Sequence, residues 1–419
     1  MNSRERLLAA LNHQQPDRVP VDFGSTAVTG IHVSVVTRLR RAVLGDGDYR
    51  VKVIEPYQML GEVDEELRKA LGIDVIGIAP RKTLFGFENK NFKPFTMFDG
   101  TEVLVPENFN TTADTNGDLL IYPEGDTAVP PSGRMPKGGH FFDSIIRQAP
   151  IDDDKLDPAD NCEEFGPLSD ADLSYYQRSI DRLSTQTDAG IMLTMPGTAF
   201  GDIALVPAPW MKHPKGIRDV EEWYISTISR KDYVRKVFEA QCEIALKNIQ
   251  KLINLFGNRI HATFLTGTDF GTQRGPFISV KAYRDLFKPF HKQVNDLIHQ
   301  NTMWKTFIHS CGSVFQLVPD FIEAGFDILN PVQCSAAQMD PVELKRRFGK
   351  DVTFWGGGVD TQHTLAFASA EEVYREVRRR VDIFNEGGGF VFDTIHNIQA
   401  NTPTENILAL FRALQDSAG

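Results

Sequence analysis

Residues 352–372 open on Val352-Thr353-Phe354-Trp355, pass through Gly356-Gly357-Gly358-Val359-Asp360-Thr361-Gln362 and reach Ser369-Ala370-Glu371-Glu372. The β-branched and aromatic run reads as a strand and the glycine-rich stretch as a loop. The serine, three residues before a glutamate, reads as the capped start of a helix. Gly387-Gly388-Gly389 ends that helix, and Phe390–Asp393 begins the next strand. The same order recurs upstream, where His261–Thr266, Trp304–His309 and Asp327–Asn330 are short β-prone runs ending in polar loops. Asp340-Pro341-Val342-Glu343 and Thr402-Pro403-Thr404-Glu405 place Asp340 and Thr402 as N-caps with proline at the first helical position. Strands alternating with helices at this spacing imply a parallel sheet. Val19–Phe23, Asp74–Ile78 and Ile191–Met195 complete a set of candidate strands large enough to close a (β/α)8 TIM-type barrel. An open doubly wound sheet is the alternative, but the early chain lacks the glycine-rich phosphate turn that would support it.

Residues from about 85 to 165 depart from this order. They carry the hairpin signals Asp99-Gly100 and Asn116-Gly117 between short runs such as Thr101–Val105 and Leu119–Tyr122, and proline is dense from Pro123 to Pro136. The chain, residues 1–419, therefore reads as one barrel domain carrying a β-hairpin-rich insertion.

With 41% hydrophobic and 24% charged residues, the composition is that of a soluble globular protein. No segment approaches the roughly 20 apolar residues that span a bilayer, and Met1–Leu11 lacks the apolar centre of a signal peptide. A net charge of −11 argues against nucleic acid or an anionic membrane as partner. Four cysteines without framework spacing fit a reducing cytoplasm. A cytoplasmic protein acting on a small molecule is expected, and a homodimer is compatible with the sequence.

In a barrel of this kind, chemistry sits on the loops that follow the strands. Trp304-Lys305-Thr306-Phe307-Ile308 delivers His309-Ser310-Cys311-Gly312-Ser313, ahead of a helix expected near Val314. Positions two apart in extended backbone face one side, so His309 and Cys311 can converge. A helix N-terminus at Cys311 would favour its thiolate. The last loop, Thr394-Ile395-His396-Asn397-Ile398-Gln399, returns to the same neighbourhood in a closed barrel and offers His396. Two histidines and a cysteine with one position open describe a catalytic zinc rather than magnesium or calcium, which prefer oxygen. The alternative is a packed strand end with His396 bonded to a carbonyl. Cys334, at another strand end, is a candidate fourth ligand. Cys242 shares an apolar stripe with Phe238, Ala245, Ile249 and Leu252 and reads as core, and Cys162 lies in an acidic loop.

Thr268–Gln273 and Gly356–Gln362 combine glycine with Asp269, Gln273, Asp360 and Gln362, a pattern that suits either a ligand pocket or ordinary capped turns. Asn330, Gln333, Asn397 and Gln399 are further candidate substrate-binding residues at strand ends.

These stretches, in this order, resemble the uroporphyrinogen decarboxylase superfamily over nearly the whole chain. The resemblance rests on Asn2–Phe23 with its Pro16-Asp17-Arg18-Val19-Pro20, on Asp269–Gln273 with Gly275-Pro276-Phe277-Ile278-Ser279, and on His309–Gly312. Gly325–Gln333, Gly357–Gln362 and Thr402-Pro403 with Glu405-Asn406 extend it. It implies a (β/α)8 barrel with its site at the C-terminal strand ends. True uroporphyrinogen decarboxylases carry an Arg-Gln-Ala-Gly-Arg segment and a Phe-Ser-Asp-Ile-Leu strand. Here the corresponding stretches read Val21-Asp22-Phe23-Gly24-Ser25-Thr26-Ala27, without arginine, and Asp74-Val75-Ile76-Gly77-Ile78, without the Phe-Ser-Asp pattern. A substrate with many carboxylates needs bidentate arginine partners, so tetrapyrrole decarboxylation is not expected.

The other branch is similar to methylcobalamin:coenzyme M methyltransferase, whose zinc ligands are a His-x-Cys pair and a later cysteine. The pair falls on His309 and Cys311, and the later position falls on His396, six residues before Thr402. Histidine in place of cysteine removes a negative charge, which predicts a stronger Lewis acid suited to oxygen or nitrogen leaving groups. The resemblance thus implies a zinc-dependent methyltransferase served by a separate corrinoid protein, with Asp269, Gln273, Asp360 and Gln362 orienting the substrate. A decarboxylase of a smaller acid and a non-catalytic small-molecule-binding barrel are the alternatives.

Overall fold

The computed structural model describes residues 1–417. Seven strands form one parallel sheet: β1 Val75–Ile78, β2 Gly190–Thr194, β3 Ala262–Thr266, β4 Lys305–His309, β5 Ile328–Asn330, β6 Thr353–Trp355 and β7 Phe390–Val391. They lie side by side in chain order, each paired in parallel with the next. Helices fill the connections, as parallel pairing requires. The longest, Lys231–Phe256, buries Val234, Phe238, Cys242, Ala245, Ile249 and Leu252 on one stripe, so Cys242 is core.

The sheet is curled, and the packing inside the curl shows it. One residue from each strand (Val75, Met192, Ala262, Phe307, Ile328, Trp355, Val391) meets Leu7 and Leu11 in an apolar cluster separate from the outer core. Helix Ser3–Leu11, held by a capping box between Asn2 and Glu5, supplies the two leucines and plugs the N-terminal end. Gly190 permits this: a Cβ there would lie 2.1 Å from Leu7 Cδ2.

The expected strand Val19–Phe23 is not a strand of this sheet. It makes a single parallel bridge, Val21 to Phe392. Pro20 has no amide to donate, and the Val21 amide turns to the Asp74 carboxylate at 3.0 Å. Residues 20–22 nevertheless touch both sheet edges. Phe392 N–H donates to Pro20 O, Asp22 N–H to Phe392 O, and Asp74 N–H to Val21 O. Asp74, fully buried, accepts from Arg6 at 2.7 Å and Arg18 at 2.7 Å, which ties the Pro16–Pro20 stretch and the N-terminal helix to β1.

Between β1 and β2, Lys93–Thr96 pairs antiparallel with Glu102–Val105. Thr111–Ala113, Leu119–Ile121, Gly133–Met135 and Asp143–Ser144 form a four-stranded antiparallel sheet. Gly100 and Gly117 turn the two expected hairpins with φ of 82° and 83°.

Helix starts agree with the expected caps at Asp340 and Ser369 but not at Thr402. Helix Thr404–Gln415 has Pro403 as its N-cap with no side-chain bond, and the Thr402 carbonyl instead accepts from Arg38. The helix after β4 starts at Val318, not near Val314. Among the described residues, no helix is long and apolar enough to cross a membrane.

Candidate metal centre

His309 is the last residue of β4, and parallel register sets Asn330, the last residue of β5, beside it. His309 Nδ1 lies 2.5 Å from Asn330 Oδ1, while Asn330 Nδ2 donates to Trp355 O at 2.8 Å. That second bond fixes which way the amide faces. Asn330 must accept through Oδ1, so the proton sits on Nδ1 and Nε2 presents a lone pair. Cys311 Sγ lies 3.3 Å from that Nε2. His396, three residues past the buried Asp393, closes the group: ligand atoms of His309, Cys311 and His396 all lie within 4.8 Å of one another. The two imidazoles stand 5.6 Å apart, edge to face.

These donors fit a metal ion. Zinc bonds of about 2.0–2.1 Å to nitrogen and 2.3 Å to sulfur in a tetrahedron imply a nitrogen–sulfur separation of about 3.5 Å, and the His309–Cys311 separation of 3.3 Å is close to it. Burial pushes both histidines down to about 4, so both are neutral ligands at physiological pH.

The thiol corrects an expectation. No helix begins at Cys311, because the chain makes a turn from Phe315 to Leu317 before the helix at Val318. Burial, and then the Asp269 carboxylate beside it, push the thiol well above its ordinary range. Asp269 Oδ1 accepts the Cys311 amide at 2.6 Å and so positions the loop that carries the ligand. Burial raises Asp269 too, and raises Asp202 to about 6. Asp202 comes from the long connection after β2 and carried no recognisable sequence signal.

The loops after β3 and β4 touch through backbone. A Cβ on Gly271 would meet Cys311 O at 2.5 Å, and one on Gly312 would meet the Gly271 carbonyl carbon at 2.5 Å. This is the one contact in the site that demands glycine on both sides. Gln333, after β5, accepts the Gly312 amide at 2.7 Å and completes the scaffold.

Cys311 and His396 open onto a cavity of about 340 Å³, with Gln333 in its wall and Gln273 and Gln362 at its exposed rim. Thr272, Thr361 and Ile395, which sequence reasoning did not select, also line it. Other candidates lie elsewhere. Asp360 Oδ1 accepts the amides of Gln362 and His363, an ordinary capped turn. Asn397 is buried and spans to Gly30, Ala27 and Gln58, fastening the last loop to the first. Gln399 is exposed and, among the described residues, donates only to the Asn397 carbonyl at 3.5 Å. Cys334 is not in the ligand group; its thiol, raised to about 12 by burial, lies near Gly357.

A curled seven-stranded parallel sheet with helical connections is an α/β fold of TIM type, and the His/Cys/His group lies at its C-terminal rim. The profile of the family described as Uroporphyrinogen decarboxylase (URO-D) matches residues 154–417, and the chain belongs to that family. Among solved structures it is similar to a methyltransferase from Methanosarcina mazei, with a TM-score of 0.53 and 15% identity over 99% of each chain. At that identity the likeness concerns the fold alone. No curated protein matches the chain by sequence.

Proposed function

We propose that the chain is a zinc-dependent methyltransferase that moves a methyl group between a small methylated substrate and a corrinoid held by a separate protein. The convergence of His309, Cys311 and His396 at the mouth of a cavity carries this reading. The fold-level likeness to a methyltransferase supports it. Zinc, when bound, supplies Lewis acidity to the heteroatom bearing the methyl group, and the corrinoid supplies the nucleophile that no side chain here can match.

The chain's own residues do the rest. Asn330 holds His309 in the tautomer that can ligate. Two neutral imidazoles and one thiolate cancel only part of a divalent charge, leaving the centre electrophilic. Asp269 and Gln333 hold the Cys311–Gly312 backbone in place, and Gln273, Gln333 and Gln362 offer amides to the substrate. Residues 19–23 are read as the segment completing an eight-stranded barrel, and 85–165 as an insertion on that one domain. Phe277 and Phe367, on the chain following β3 and β6, are 54% and 82% exposed and suit a protein partner docking over the mouth.

The test is anaerobic incubation with a reduced corrinoid protein and methylated ethers or amines. The visible spectrum of the corrinoid and the demethylated product should change together, and Cys311→Ser should abolish both. Failure of transfer with every substrate, while a carboxylic acid loses carbon dioxide in the same cavity, gives the case to a lyase.

A further inference from the structure

We infer that Asn397 is a positioning residue for the metal centre: it fastens the loop carrying His396 to residues 27–30 and to Gln58, so that the first segment of the chain sets the third ligand. This rests on the zinc reading of His309, Cys311 and His396, and not on methyl transfer.

The three ligands are not held alike. His309 ends β4, and Asn330 bonds its ring. Asp269 fixes the Cys311 amide, and Gln333 fixes the next amide along. His396 lies beyond the end of β7 at Val391, and among the described residues no hydrogen bond reaches its ring. Its place therefore depends on what holds the backbone of its loop.

Before His396, the loop leans on the chain that follows β6. Gly358 N–H donates to Asp393 O at 2.9 Å, and Ile395 N–H to Val359 O at 3.2 Å. After His396, the hold comes from the first segment. Asn397 Oδ1 accepts the Gly30 amide at 2.6 Å, and its Nδ2 donates to Ala27 O and to Gln58 Oε1, both at 2.8 Å. Ile398 N–H then donates to Gly30 O at 3.0 Å, and His32 N–H to Ile398 O at 2.9 Å.

The Asn397 amide has both N–H groups in use, so turning it over would set donor against donor at Gly30 and acceptor against acceptor at Ala27. The side chain is 1% exposed, and a bond broken there leaves a polar group unpaired. Its far partner is fixed as well. The Glu55 carboxylate accepts the Tyr57 and Gln58 amides at 2.9 and 2.7 Å, which sets the turn presenting Gln58. A residue next to a ligand is thus bonded to partners 339, 367 and 370 residues away, across the seam between the two ends of the sheet. Coupling free energy is reciprocal: loosening these contacts weakens zinc, and zinc on His396 tightens them.

Zinc affinity is measured by competition with a chromophoric chelator for four full-length chains: the parent, Asn397→Ala, His396→Ala and the double variant. Asn397→Ala should weaken zinc about tenfold or more, as removing groups that support metal ligands does. In the His396→Ala background the same substitution should change affinity by less than about twofold, because its effect runs through His396. A residue that merely supports the fold would cost the same in both backgrounds. Should Asn397→Ala not fold, hydrogen exchange reads the reciprocal effect. Saturating zinc should slow exchange at the Gly30 amide about tenfold or more in the parent, and not in His396→Ala. Equal losses in both backgrounds, no loss in the parent background, or exchange at Gly30 indifferent to zinc overturns the inference. Equal zinc affinity in the parent and His396→Ala would remove His396 from the centre, and the zinc reading would fall together with the inference. No arm reads methyl transfer, so failure of the corrinoid assay is a separate result.

Discussion

His309 and His396, held near 4 by burial, are neutral at pH 7, whereas the Cys311 thiol is held protonated. Zinc must therefore displace one proton and only one. Titrating zinc into the metal-free protein in weak buffer near pH 7 should release about one proton per ion, from the thiol. Release near zero would mean sulfur is not a ligand, and release near two or three would mean the imidazoles start protonated. A second residue-scale prediction concerns Asp22 and Asp393, both fully buried, with Asp393 Oδ2 lacking a hydrogen-bond partner among the described residues. Burial raises Asp22 to about 6, and burial together with Asp22 raises Asp393 well above its ordinary value. Folding thus favours the protonated forms. Their contribution is full below the unfolded carboxyl value and is lost as pH rises through the folded one. For Asp22 that loss is about 3 kcal/mol, complete above about pH 6. Asp393→Asn removes its share of the pH dependence. In urea unfolding, the variant should gain stability over the parent at about pH 8 relative to about pH 5. An unchanged difference between those pH values would contradict the assignment.

At the scale of elements, seven of the eight expected strands were legible, displaced by a residue or two, because short apolar runs bounded by caps and glycines have few other readings. Val19–Phe23 was not, because its pairing is governed by Pro20 and by the distant Asp74 side chain. The same limit explains the site. His309 and Cys311 share a face by local geometry and could be found, and His396 followed from the return of the last loop in a closed barrel, with the resemblance pointing to the same residue. Asp360 and Asn397 looked like pocket residues because a capped turn and a binding loop draw on the same residue types. Asp74 carries the element-scale prediction. Asp74→Ala would strip two arginines of a fully buried partner and free the Val21 amide. A loss of about 3–5 kcal/mol in urea unfolding is expected. A loss under about 1 kcal/mol would show that the Arg6–Asp74–Arg18 cluster does not hold the N-terminal segment to β1.

For the whole molecule, the URO-D family covers more than one chemistry, and the missing arginines argue against one substrate, uroporphyrinogen. The segment that would grip propionates, Val21–Ala27, holds no arginine, and the lining of the cavity is uncharged. Uroporphyrinogen should therefore pass through an anaerobic assay unchanged; accumulation of coproporphyrinogen, abolished by a substitution in the barrel mouth, would refute this. The central claim is that His309, Cys311 and His396 form one zinc centre, and X-ray absorption at the zinc K-edge tests it most directly. The zinc-loaded protein should show one sulfur at about 2.3 Å and nitrogen or oxygen at about 2.0–2.1 Å, with the sulfur shell absent in Cys311→Ser. A spectrum without sulfur in the parent protein, or one unchanged by that substitution, would contradict the account.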